Sequence, residues 1–527
     1  CFEPHVGDSI FKAWAAKEKN LKVIYGGTFE FVQKNKDKVV GAYFRDKKDN
    51  IYQIEAAITI DATDLGDVFA NAGCKYDLGT EDSTQSNEKI APGKSNIIQD
   101  LTWAATLQDF GKGADMTIPK PPNYDATKYY CSTTEAPCNT KNYDGSTQKV
   151  LNYGKLPTTN GTIKYMLNWP AHGNDFYLNA VEMKPLEREH AYTKAKEQTL
   201  GFIYFLQTTL GMKHIGLSNE FGTEDKLALM PYNREGRRLK GLVRLNINHI
   251  QSPYNYALYR TGIAVGDYPV DHHHAQYKGK VPPIPFPKVP AYNIPLGALI
   301  PEKTEGLIVC EKGISVSNIA NGTTRLQPVV LLTGQAAGLL AATCVKQNVQ
   351  PAKINIRDLQ QELVRNKCYI MPFTDVKPDD AAWEAIQYIG AMGIIKGKGI
   401  SEGWENKMFF YPDSLMKVVE IEKNLSEIGP LFSTSTKSNK EFVDIVGVTK
   451  YINNINASLK LQHGIKLTST QLLTTITMSD FKALHLNNFD TLRPLTKKEI
   501  AVLISHFTNH LKNITVDIQG KYKRKNS

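Results

Sequence analysis

Apolar residues Val6, Ile10, Phe11, Trp14 and Ala15 recur at helical spacing between Pro4 and Lys19, which predicts a helix leading into a short strand, Lys22-Val-Ile-Tyr25. Gly26-Gly27 turns the chain. Three β-rich pieces follow, Thr28–Gln33, Val39–Phe44 and Ile51–Ile60, the last two split by the turn-forming Asp46-Lys-Lys-Asp-Asn50. The order reads as helix, strand, then a β-meander returning to a sheet. Between Gly79 and Gly161 Ser, Thr, Asn, Pro and Lys dominate with little periodicity, as expected of a loop-rich insertion. Patterning resumes at Lys164–Pro170, followed by a long predicted helix over Pro185–Thr209 and strands near Arg237–Asn246. A proline-rich run, Pro282–Pro290, brings the chain to a strand over Gly306–Cys310 and a helix over Pro328–Lys346. After Pro351 the character changes, and a separate C-terminal unit starts near Met371.

The length of 527 residues, 41% of them hydrophobic, allows a large core and two to four domains. The apolar runs Val329–Leu332 and Leu339–Ala342 are broken by Gly, Gln and Thr, so no transmembrane helix is expected. The net charge of +10 is spread along the chain, apart from the tail Lys521-Tyr-Lys-Arg-Lys525, which argues for a solvated surface rather than a nucleic-acid partner. The tail is expected to be disordered. Seven cysteines without any Cys-x-x-Cys argue against structural zinc and against a cubane iron–sulfur cluster. Cys131 and Cys138 are compatible with a bridge or with two free thiols. The opening Cys1-Phe-Glu-Pro has no signal-peptide pattern, and a missing upstream segment explains it better than a lipoprotein Cys with a polar tether.

At the end of the strand Ile51–Ile60 stands Asp61-Ala-Thr-Asp-Leu-Gly-Asp67, where small residues allow close approach of a ligand. The aspartate spacing does not match an EF-hand loop, so calcium is excluded. A second constellation runs Ile294–Pro301, Gly306–Ser315 and Ser317–Pro328 into Gly334-Gln-Ala-Ala-Gly338. Pro328 suits a first helical turn, and the small residues after it give a narrow helix whose positive N-terminus can face a ligand.

In order, these residues resemble a bacterial FAD-dependent oxidoreductase family that includes proteins akin to the flavin subunit of heterodisulfide reductase, over roughly Cys1 to Asn355. The resemblance implies that Asp61, Ala62, Thr63, Gly66 and Asp67 approach FAD, and that Ser315, Arg325, Pro328, Gly334 and Gln335 lie near its ring. The family usually has Gly-Arg where this chain has Glu311-Lys312. Some relatives carry a 4Fe-4S cluster, which the cysteine spacing here does not support. Arg234, Arg237 and Arg238 in Met230–Leu239, a stretch like the family's, can bind a substrate carboxylate or polyhydroxylated ligand, or form structural ion pairs with Glu235 and its neighbours. His272 beside Asp271 is the candidate proton donor or acceptor, and because neighbouring residues on an extended segment face opposite ways, His272, His273 and His274 cannot share a metal. His172, Asn174 and Asp175 form a third polar cluster.

Phe373-Thr-Asp-Val, Trp383–Ile389, Gly393–Gly397 and Phe410-Tyr-Pro-Asp413 resemble a surface-layer homology module, with an echo in Leu495–Leu503. Such modules hold proteins on cell-wall polysaccharide, which implies export. A helical cap on the enzyme is the other reading and the one favoured. The expected fold is α/β, an FAD-binding Rossmann-like domain of glutathione-reductase type lacking its first βαβ unit, an inserted α+β substrate domain and a small α-helical C-terminal module. The divisions are 1–80 and 291–355 for the flavin domain, 81–160 for the insertion, 161–290 for the substrate domain, 371–515 for the C-terminal module and 516–527 for the tail. The expected reaction is hydride transfer between a small hydroxy-acid or saccharide-like substrate and flavin N5, with an unidentified electron acceptor. The alternative is a glycan-binding protein on a degenerate flavoprotein scaffold.

Overall fold

The computed structural model describes residues 2–132, 151–158, 161–167, 170–429, 432, 440–463, 474–486, 488–508 and 514–523. Helix α1 (Pro4–Lys17) starts on proline, whose missing N–H costs nothing in a first turn. The strand expected at Lys22–Tyr25 does not form. Val23, Ile24 and Tyr25 are exposed, and among the described residues no strand lies beside them to accept their backbone groups.

Strands β1 (Thr28–Asn35), β2 (Lys38–Arg45) and β3 (Ile51–Glu55) make the expected antiparallel meander. The β-rich piece Ile51–Ile60 is two strands, not one. Ala56 N donates to Val40 O and ends the meander, whereas Thr59 N donates to Gly306 O and opens β4 (Thr59–Asp61) in another sheet. Helix α2 (Asp67–Asn71) follows.

The segment expected to be a loop-rich insertion supplies β5 (Ala105–Asp109) and β6 (Lys155–Leu156), which join β7 (Ile163–Leu167) and β9 (Ile215–Leu217) in one antiparallel sheet of order β9-β5-β7-β6. Between β7 and β9 come β8 (Asp175–Phe176) and α3 (Pro185–Thr208), whose Phe202, Phe205 and Leu206 bury Leu107 and Leu167. Residue 160 is therefore no boundary, since β5 is an inner strand of the sheet that continues beyond it. Cys131 is disulfide-bonded, while Cys138 lies outside the described residues. Of the strands expected near Arg237–Asn246, Arg238–Leu239 pairs with Tyr76–Asp77, and beyond it Gly241 and Leu245 make single bridges to Pro301 and Val316.

Strands β10 (Gly262–Gly266) and β11 (Tyr292–Pro295) pair antiparallel, and β12 (Leu307–Val309) runs parallel to β4 with Val309 opposite Asp61. This pair is the parallel core of the part of the chain before the C-terminal unit, and β12 is the only strand partner of β4 among the described residues. Helix α4 (Asn318–Thr324), capped by Ser317, leads into α5 (Gln327–Gln347). Helix α5 is the one described helix long and apolar enough to cross a membrane, and here it packs against the parallel pair. Ala336, Ala337 and Leu340 face the core, while Leu331, Gly338 and Val345 line an exposed face.

The C-terminal unit comprises α6 (Trp383–Ala391), the hairpin β13 (Lys398–Ile400) and β14 (Lys407–Phe409), α7 (Val418–Ile428), α8 (Ile445–His463), α9 (Met478–Ala483) and α10 (Lys497–Phe507). It shares one continuous apolar core with the preceding half, reaching from Val243 through Ile370, Phe373 and Trp383 to Val516. The described part of the basic tail, which runs to Lys523, is packed against the fold. Tyr522 lies under the Arg260 guanidinium at 4.7 Å and donates to Met392 O, and Arg357 Nε donates to Ile514 O. Burial of two cations with aromatic and carbonyl partners holds this segment in place.

Candidate functional site

The carboxyl edge of the parallel pair is built from the loops after β4 and β12, with the start of α5 beside them. In the first loop Asp61, buried, accepts from Thr63 N at 2.8 Å, Thr63 Oγ1 at 2.7 Å and Phe69 N at 2.7 Å. Burial raises its pKa while these donors oppose the rise. Asp61 thus folds the turn. Thr63 Oγ1 in turn accepts from Asp67 N at 2.8 Å. Gly66 sits at φ +74°, and an added Cβ would meet the Phe69 ring at 2.5 Å, so this glycine answers to packing. Asp67 is held by Arg188 at 3.0 Å and Arg237 at 2.8 Å, which lower its pKa against the opposing effect of burial. Of the five residues expected at the cofactor from this loop, Ala62 is the one that is exposed, while Thr63 and Asp67 are half-buried.

In the second loop Glu311 adopts φ +65°, a conformation that favours glycine, and glycine is the residue the family usually has there. Lys312 is buried between Asp64, at 2.5 Å, and Glu311, at 2.7 Å, and their charges raise its pKa against desolvation. Ser315 is buried with its hydroxyl unpartnered against Gly241. Pro328 and Gln335 are exposed on α5, and an added Cβ at Gly334 or Gly338 would meet nothing within 4 Å. No side chain caps the first turn of α5, leaving its N–H groups to a ligand or water. Beside that turn a cleft of about 430 Å³ is lined by Pro328, Val329, Leu332, Tyr369, Phe373 and Lys407 among others. Open small residues, an exposed Ala62 and an uncapped helix start fit a flat cofactor that gains negative charge, as FAD does.

On the other side the ionic contacts gather around His273, not His272. The segment from Asp271 to His274 is extended, so Asp271 and His273 face one way and His272 and His274 the other, their rings 5.9 Å apart. His272 is buried under Gly322 and Phe286 with both ring nitrogens unpaired, and desolvation pushes its pKa well down. It is a neutral core residue, because the alternation that excluded a shared metal also turns it inward. His273 Nδ1 lies 2.8 Å from Asp175 Oδ2 and its Nε2 3.3 Å from Asp271 Oδ2. Desolvation lowers its pKa, and the two carboxylates more than reverse this, so the net shift is upward.

Cations close the chain at both ends. Arg234 donates to Asp175 Oδ1 at 3.0 Å and to Asp100 O at 2.8 Å, and Arg325 donates to Asp271 Oδ2 at 2.9 Å and to Tyr232 Oη at 2.9 Å. The result is Arg234–Asp175–His273–Asp271–Arg325, basic and acidic side chains in alternation from Arg234 to the residue after α4. The Asp271 pKa is driven far down by its His273 hydrogen bond and Arg325, overcoming desolvation. Asp100 beside the chain is pushed up to about 7, first by burial and then by Asp175, over the opposing hydrogen bond from Gln276 N.

Arg238 stands apart from this chain. Its terminal nitrogens bond Glu81 at 2.7 Å, Glu235 and Gly79 O, and it is fully buried, so it staples the segment as an ion-paired core residue. Arg325 faces Asp271 with 2% of its surface exposed, and serves the substrate-side chain. Of the cluster around Asn174, that residue donates to Trp103 O and Leu167 O as a core brace, desolvation lowers the pKa of His172, and only Asp175 enters the ionic chain. Sequence reasoning passed over His273, although the same alternation rule points to it once Asp271 is taken as the partner.

A family model described as FAD dependent oxidoreductase matches residues 1–363, and one described as S-layer homology domain matches residues 372–417. No curated protein and no solved structure matches the chain.

Proposed function

We propose, from the premise that this chain belongs to the FAD-dependent oxidoreductase family and is an FAD-dependent oxidoreductase, that it moves a hydride between an organic hydroxyl substrate and flavin N5. When bound, FAD supplies the two-electron acceptor. Ala62, Gly334 and Gly338 would allow its close approach, and the uncapped first turn of α5 would receive negative charge on its ring. The 527 residues contain no Gly-x-Gly-x-x-Gly turn for a pyrophosphate, and among the described residues β4 pairs with β12 alone.

The observation that carries the reading is His273 held between Asp175 and Asp271. An alcohol losing hydride must also lose its hydroxyl proton. His273 is anchored to Asp175 through Nδ1, and a substrate hydroxyl that takes the place of Asp271 at Nε2, the longer contact at 3.3 Å, would pass its proton to that nitrogen, with Asp175 stabilising the imidazolium that results. Arg234 and Arg325 fix the carboxylates and are positioning residues. The test is anaerobic bleaching of the flavin by hydroxy acids and saccharides, comparing wild type with His273→Gln; equal bleaching would remove the histidine from the mechanism.

The S-layer homology match points to a cell-surface place and supports association with cell-wall polysaccharide. The shared core supports the second role, a cap on the enzyme. Pull-down on purified cell walls, with and without the C-terminal unit's surface side chains, separates the two.

A further inference from the structure

The hairpin β13–β14 lies in the C-terminal unit, yet its connecting loop docks on the segment that carries the histidine. Asn406 N donates to Asp267 O at 2.9 Å, and Glu402 N donates to Asn406 Oδ1 at 2.9 Å, which shapes the loop. Trp404, at its tip, is 60% exposed and lies with its ring centroid 5.5 Å from that of the half-exposed Tyr268. Tyr268 is fixed from beneath, where Thr323 Oγ1 donates to its carbonyl oxygen two residues before Arg325. Burial raises the pKa of its hydroxyl, the Asp271 charge adds to the rise and the Arg325 charge opposes it. An exposed indole against a tyrosine three residues before Asp271, whose carbonyl is tied to the helix that ends at Arg325, offers an apolar face on the segment that carries the ionic chain.

We infer that Trp404 and Tyr268 form a stacking platform for a pyranose ring, so that the C-terminal unit helps to bind the substrate and the substrate class is a saccharide. A pyranose has an apolar C–H face for the aromatic rings and an edge of hydroxyls for Asp271, Tyr232 and His273. A short acyclic hydroxy acid has no such face and gains nothing from Trp404. This rests on the proposed hydride transfer only for the fate of the sugar; the binding stands separately.

Binding is read on the full chain by saturation-transfer NMR with methyl glucoside, galactoside, mannoside and glucuronide, and turnover by anaerobic flavin bleaching with the same sugars and with lactate. At least one glycoside should bind wild type, bind roughly tenfold more weakly to Trp404→Ala, and recover with Trp404→Phe, at unchanged thermal midpoint. Bleaching by lactate, where it occurs, should not respond to Trp404→Ala. No glycoside binding to wild type, or equal binding to Trp404→Ala, overturns the platform. Trp404-dependent binding without bleaching sustains the platform and removes the oxidation proposed above.

Discussion

Arg325 Nη2 lies 2.9 Å from Asp271 Oδ2, and this contact commits the guanidinium nearest the start of α5 to the histidine relay. Replacing Arg325 by alanine leaves a carboxylate that is largely buried and paired only to His273. The expected loss of stability is about 3 kcal/mol, read by urea titration. Because Asp271 has a depressed pKa, its pairing stabilises the fold above the ordinary carboxylate pKa and is lost as pH falls through the native value. The deficit of Arg325→Ala relative to wild type should therefore shrink in acid. A deficit that grows on acidification contradicts the pairing.

Asp100 gives the opposite sign. Its pKa in the folded chain is about 7, above the unfolded value, so the native state holds an extra proton between them and stability declines as pH rises through that window. Asp100→Asn mimics the protonated carboxyl and should flatten the decline between about pH 4 and 7. Thermal midpoints across that range check it, and an unchanged slope would place the source elsewhere.

Gly66 occupies a left-handed conformation against Phe69 and Arg237. Gly66→Ala should cost roughly 1–2 kcal/mol from the backbone alone, more with the ring contact, and Phe69→Leu in the same chain should return part of it. Additive losses in the double mutant would show that the ring does not contribute.

Truncation at Met371 removes Phe373, Trp383 and the strap of Tyr522 over Arg260 from a core shared with the flavin-type half. The remaining chain should be insoluble or should lose its cooperative unfolding transition. A soluble, cooperatively folding 1–370 fragment would show that the two halves fold independently.

How much of this was legible follows from the range of each interaction. The helix at Pro185–Thr208 and the meander Thr28–Glu55 are written in local periodicity and turn residues, and the sequence reading meets them within a few positions. The strand at Ala105–Asp109 is five residues inside a turn-rich stretch, and it forms because β7 and α3 cover it from afar. The reverse holds at Lys22–Tyr25, where a good β pattern lacks a neighbour. At the site, Arg234 and Asp271 were visible as residue types, but Arg234 and Arg238 look alike in sequence and part only when Asp175 and Glu81 arrive from distant segments. The tail's order depends on Arg260 and Arg357, more than a hundred residues away, which composition cannot convey.

The most direct measurement is the anaerobic rate of flavin bleaching by a glycoside as a function of pH, in FAD-loaded wild type and His273→Gln. The raised pKa of His273 means that the neutral imidazole needed to accept the hydroxyl proton appears only as pH rises through that value. The wild-type rate should climb with pH and level off above it, while His273→Gln should be slower by roughly a hundredfold or more and lack that limb. A variant that bleaches at the wild-type rate with the same pH profile would contradict the assignment of the proton to His273.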